Sequence, residues 1–124
     1  MDPTSEDEAL DKVRRIALAL PETSERLSHG APTFFIRDKK TFVVFIDHHH
    51  GDGRRALYSS APPGVQDEVV TEDPDQFFVP PYVGHRGWIG VRLDRDPNWD
   101  EIEAIVVEAY RNVAPKKLIA ELDG

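Results

Sequence analysis

Two pairs of adjacent cations stand near the middle of the 124-residue chain, Lys39-Lys40 and Arg54-Arg55. Lysine and arginine neutralise phosphate oxygens, so two such pairs on neighbouring hairpins suit contact with a nucleic-acid backbone. Paired lysines at a turn also keep a strand edge soluble, which needs no ligand. Between the two pairs lies His48-His49-His50 followed by Gly51-Asp52-Gly53. Imidazole ligates zinc, nickel, copper and iron. Adjacent side chains of an extended strand point to opposite faces, so only His48 and His50 would act together, and Asp47, Asp52 or His29 would have to complete the sphere. A polar tip that titrates near neutrality accounts for the same residues, and no metal site is assigned.

A further group is carried by Phe77 to Gly90, FFVPPYVGHRGWIG, with four aromatics, two prolines and three glycines. The segment is too irregular for a helix and too apolar for a solvated loop, and its prolines and glycines specify one chain path leading into a strand. His85 and Arg86 sit between Tyr82 and Trp88, a set able to line a pocket for an anion or an aromatic ligand. The same residues have a plainer reading, with the rings covering a sheet edge and Arg86 stacked on one of them. Together with His29 they form a candidate ligand surface.

Catalytic chemistry has less to stand on. Ser59, Ser60, His85 and Asp94 carry the groups of a hydrolytic triad, but no nucleophile elbow, phosphate loop, paired His-Glu helix motif or dinucleotide fingerprint places them. No enzyme activity and no cofactor are expected. The absence of cysteine excludes disulfides and thiolate chemistry and suits a reducing compartment. MDPTSEDEALDK at the amino terminus puts acids where a signal peptide needs a basic region and an apolar core. IALAL and FVVFI, the longest apolar runs, fall well short of the ~20 residues that span a bilayer. A cytoplasmic location and no membrane association are therefore expected. A net charge of −8 opposes general nucleic-acid binding, yet Arg26 to Ser60 holds six basic residues against three acidic ones. The basic middle and acidic ends would give a polarised surface.

These residues must be positioned by a modest set of elements. The spacing of Leu10, Val13, Ala17 and Leu20 predicts a helix over Ser5 to Leu20, opened by a Ser5/Glu8 capping box and stopped by Pro21. Strands are predicted at Glu25–Ser28, Thr33–Arg37, Lys40–Asp47 and Arg54–Ser60, with a tight turn at Asp38-Lys39 and a longer tip at His48 to Gly53. A short helix is predicted over Gly64 to Glu72 and a last strand near Trp88 to Leu93. Asn98 caps a second long helix with Glu101 at its third position and Ile102, Ile105, Val106, Ala109 and Val113 as its stripe. Pro115 opens a final short one. The order is that of an α+β sandwich in a single domain over residues 1–124, its mainly antiparallel sheet packed by N- and C-terminal helices.

HGAPTFF at His29 to Phe35, the Lys39-Lys40 turn, FFVPPYVGHRGWIGV at Phe77 to Val91, WDEI from Trp99, and AYRNVAPKKL from Ala109 to Leu118 occur in this order. Together they resemble the MmcQ/YjbR family over nearly the whole chain. The resemblance implies a compact α+β fold similar to bacterial frataxin, in a double-wing arrangement, and DNA as partner. The wings would be the hairpin tips bearing Lys39 and Lys40 and, after the longer His48 to Gly53 tip, Arg54 and Arg55. A frataxin-like fold also implies iron handling by acids of the first helix, here Asp2, Glu6, Asp7, Glu8 and Asp11. Capping and the helix dipole explain acids at that position without a ligand. The expected function is thus non-enzymatic DNA binding through basic hairpin wings. The alternatives are a small-molecule or protein ligand on the Tyr82 to Trp88 surface, and metal binding at His48 to His50.

Overall fold

The computed structural model describes residues 6–47 and 55–124. The His48–His50 tip, Asp52, Arg54, Ser5 and Asp2 therefore lie outside the described residues. Along the chain run α1 (Glu6–Leu18), β1 (Thr23–Ser28), β2 (Ala31–Ile36), β3 (Lys40–Asp47), β4 (Arg55–Ser59), α2 (Val65–Glu72), β5 (Phe77–Phe78), β6 (Ile89–Arg92), α3 (Trp99–Val113) and α4 (Lys116–Asp123). All strands join one antiparallel sheet in the order β1-β2-β3-β4-β6-β5. Helices α1 and α3 touch each other and both lie on β3, so they cover the same face. The core between them and the sheet is built from Val13 and Ala17 of α1, Phe34, Phe45, Leu57 and Val91 of the sheet, and Ile102, Val106 and Tyr110 of α3. The α+β class with helices from both ends of the chain on an antiparallel sheet is what the sequence predicts. No helix among the described residues is long and apolar enough to cross a membrane.

Local sequence explains most element ends. Asn98 caps α3 through its side-chain oxygen, which accepts from the backbone N–H groups of Asp100 and Glu101 at 3.0 and 3.3 Å. Helix α1 stops at Leu18, two residues before the predicted end, because the Thr23 hydroxyl donates to the Ala17 and Leu20 carbonyls and closes the last turn. The β2–β3 turn differs from expectation. It is centred on Arg37-Asp38, with φ of 54° and 58°, and the Lys39 N–H donates to the Ile36 carbonyl at 3.1 Å. Two successive positive φ values are the hairpin pattern whose twist matches that of the strands, and they leave Lys39 and Lys40 at the base of β3 rather than at the tip.

A bulge follows. Phe34 pairs with Val43 and Phe35 with Thr41, so Phe42 is an extra residue, and Phe42 and Val43 are both fully buried. Phe42 meets Tyr110 edge-on at 5.7 Å between ring centroids. The hydroxyl of Tyr110 donates to the Pro21 carbonyl at 2.7 Å, tying α3 to the chain between α1 and β1. At the other edge, Gly90 of β6 is required by close approach. A Cβ there would stand 2.7 Å from Phe78 Cδ2 and nearer still to the rest of that ring's edge.

Candidate functional site

Antiparallel pairing brings the start of β3, the end of β4 and the start of β6 to one end of the sheet, since Val43 faces Ser59 and Ser59 faces Ile89. The last turn of α3 closes over that end. A cleft of about 550 Å³ results, with Lys39, Lys40 and Thr41 on one side, Arg86 and Trp88 on another, Asn112 and Val113 of α3 on a third, and Ser60 and Ala61 at the base. Its volume is in the range of ligand pockets.

Three of the nine lining residues are cations and none is acidic. Most of the arginines elsewhere are neutralised. Arg14 pairs with Glu25, Arg26 with Asp38, Arg37 with Glu22, Arg92 with Asp94 and Arg111 with Asp123. Lys39, Lys40 and Arg86 make no ion pair among the described residues. Arg86 lies over the Trp88 ring at 5.2 Å from its centroid, within cation–π range. Trp88 itself is 4% exposed and serves as a wall. At the base, the Asn112 amide donates to the Ser60 hydroxyl at 2.6 Å, joining α3 to the end of β4.

Arg86 reaches the cleft because of its local frame. It belongs to a single 3-10 turn, Gly84–Arg86, closed by Gly87 at φ 84°. The side-chain amide of Gln66 in α2 donates to the Gly84 and Trp88 carbonyls, at 2.8 and 2.7 Å, and so clamps both ends of that turn. Just before it, the Val83 N–H donates to the Pro81 carbonyl at 2.7 Å, a three-residue turn whose centre, Tyr82, has φ 67°. The Tyr82 ring is 84% exposed.

The structure thus joins two groups that the sequence kept apart, Lys39-Lys40 and Arg86-Trp88, and divides others. Arg55 starts β4 and lies at the opposite end of the sheet. It is 8% exposed, and its Nε donates to Asp47 Oδ1 at 3.3 Å. Burial against a carboxylate corrects its assignment as an open phosphate contact. His29 occupies the exposed β1–β2 turn at that same far end, away from Arg86 and Trp88. His85 is exposed on the 3-10 turn and Tyr82 on the turn before it, both outside the cleft lining. Thr41, Asn112 and Gln66 escaped the sequence reading, and Ser60 figured there only among the groups of a hydrolytic triad. Only Asn112 had a signal there, as part of the AYRN segment. Glu8 and Asp11 of α1 pair with Lys12 and Arg14, and no group of three His, Asp or Glu residues gathers among the described residues.

A model of the YjbR family matches residues 18–112. The chain belongs to the YjbR family. All of the cleft except Val113 falls inside the matched region. The YjbR fold is also seen in a crystal structure of the Deinococcus radiodurans protein DR2400, whose domain is named DUF419. It superposes with a TM-score of 0.72 at 16% identity, over 92% of this chain and 87% of that one. At this identity the likeness is one of fold. No curated protein matches the chain.

Proposed function

We propose that this YjbR-family chain is a non-enzymatic nucleic-acid-binding protein that takes phosphate groups in the cleft between Lys39-Lys40 and Arg86. The observation that carries the reading is the charge of that cleft, three cations that are unpaired among the described residues and no carboxylate in the lining, in a chain whose net charge is −8. Cations left unpaired in a concave site focus a positive field there even when the remaining surface is acidic. Asn112 and Thr41 add neutral hydrogen-bonding groups to the same walls. The DNA contact is then a single cleft rather than two hairpin wings, since Arg55 is buried against Asp47.

Fluorescence anisotropy of labelled single-stranded and duplex DNA at low and near-physiological salt tests it. Binding is expected to weaken as salt rises and to be lost in Lys39→Glu/Lys40→Glu/Arg86→Glu, whereas Arg15→Glu leaves it unchanged. An absence of binding at low salt would refute the proposal.

A second reading rests on Tyr82, whose exposed ring is held at a positive φ that bulky residues avoid. Backbone strain that presents a ring to solvent is consistent with contact to a small-molecule or protein ligand. In that case Tyr82→Ala abolishes capture of the ligand and leaves DNA binding intact.

A further inference from the structure

We infer that the cleft selects a phosphate monoester, the dianionic end group of a strand or nucleotide, over the internal phosphodiesters of a nucleic acid. The inference rests on the proposed function and sharpens it. Proteins that hold the interior of a strand spread their cations along a track, because each phosphodiester carries one charge and the next lies a nucleotide away. Arg26, Arg37, Arg92 and Arg111 are paired with Asp38, Glu22, Asp94 and Asp123 and offer no free charge to such a track. Lys39, Lys40 and Arg86 instead converge on one cleft of about 550 Å³.

A phosphate monoester matches that arrangement. It carries about −1.5 to −2 charges near neutral pH and three strong acceptor oxygens, against the single charge of a diester. Two ammonium groups and a guanidinium meet the three oxygens as charge-assisted donors. The Arg86 guanidinium is held against Trp88, and Gln66 clamps the turn that carries it, so one side of the site is preorganised. The volume accommodates a phosphate with its attached sugar, and a duplex is far too wide to enter it.

The test uses the whole protein and short single strands of one sequence, labelled at the 3′ end and carrying either a 5′-phosphate or a 5′-hydroxyl. A nucleoside 5′-monophosphate and the unphosphorylated nucleoside serve as competitors. The phosphorylated strand is expected to bind about tenfold more tightly, or better. The monophosphate competes, the nucleoside does not, and the preference disappears in Arg86→Gln. Equal affinity of the two strands, with salt dependence retained, would overturn the inference and leave the proposed function standing. Binding of the monophosphate by a protein that binds neither strand would uphold the inference and remove nucleic acid as the ligand. Failure of every probe to bind would overturn both. Lys39, Lys40 and Arg86 are exposed, so thermal unfolding of the variants is expected to match the parent.

Discussion

The side-chain amide of Gln66 donates to the carbonyl of Trp88 at 2.7 Å while its second hydrogen reaches Gly84, so one residue of α2 holds both ends of the turn that carries Arg86. Gln66 lies outside the cleft and acts through position alone. Gln66→Ala removes two hydrogen bonds to carbonyls, each worth about 1 kcal/mol net. Urea unfolding is expected to show a loss of about 1–3 kcal/mol. Phosphate affinity should fall in the same variant at temperatures where the fold is intact, and Gln66→Glu, which cannot donate when ionised, should behave alike. Unchanged affinity in both would show that Arg86 needs no such clamp.

Gly90 and Phe78 give a steric prediction. Gly90→Ala puts a methyl group into the Phe78 ring, and overpacking of this kind costs about 1–3 kcal/mol. Phe78→Leu in the same chain frees the space, although it also loses the edge-on contact with Tyr58 at 6.1 Å. A double-mutant cycle by chemical denaturation is expected to give a coupling of about 1 kcal/mol or more. Strict additivity would contradict the contact.

Tyr82 predicts a gain. A left-handed backbone costs a bulky residue roughly 1–2 kcal/mol. Glycine relieves that cost but adds about 0.5–1 kcal/mol of chain entropy to folding. The ring is 84% exposed, so little packing is lost. Tyr82→Gly should therefore raise stability by up to about 1 kcal/mol, read as an increase in Tm. A marked decrease would mean that the ring packs in solution.

Asp94 predicts a dependence on pH. Two hydrogen bonds from Arg92, at 3.1 and 2.9 Å, hold its carboxyl below the usual carboxylate range, with partial burial acting in the opposite sense. A carboxyl whose pKa is lower when folded contributes stability above its unfolded value near 3.8, and that contribution is lost as pH falls through the lower folded value. Asp94→Asn should be less stable than the parent near neutrality, and the gap should close on acidification below about pH 4. A gap of constant size across that window would exclude the ion pair as its source.

Tyr110 offers a milder check on the tie between α3 and the chain after α1. Tyr110→Phe keeps the ring against Phe42 but leaves the Pro21 carbonyl without its donor at 2.7 Å. The expected loss is about 1 kcal/mol in denaturant unfolding. A neutral result would mean that water replaces the hydroxyl at no cost.

What the sequence determined by itself was local or periodic. Asn98 with Glu101 announces the start of α3, Leu10, Val13 and Ala17 announce the buried face of α1, and the aromatic and β-branched run at residues 42–46 places β3 at Lys40–Asp47, all through residues one to four positions apart. Motif order likewise indicated the YjbR family. Tertiary structure decided the rest. The cleft draws on residues 39–41, 60–61, 86, 88 and 112–113, which meet only because β6 pairs with β4 and α3 crosses the end of the sheet. The turn at Arg37-Asp38 and the bulge at Phe42 set which way Lys39 to Phe42 face, and neither has a period to read. Arg55 and Arg86 have the same side-chain chemistry. One is buried against Asp47 while the other lies beside Trp88 with no ion pair among the described residues, and only the fold distinguishes them, because pairing is settled by which carboxylates lie within reach.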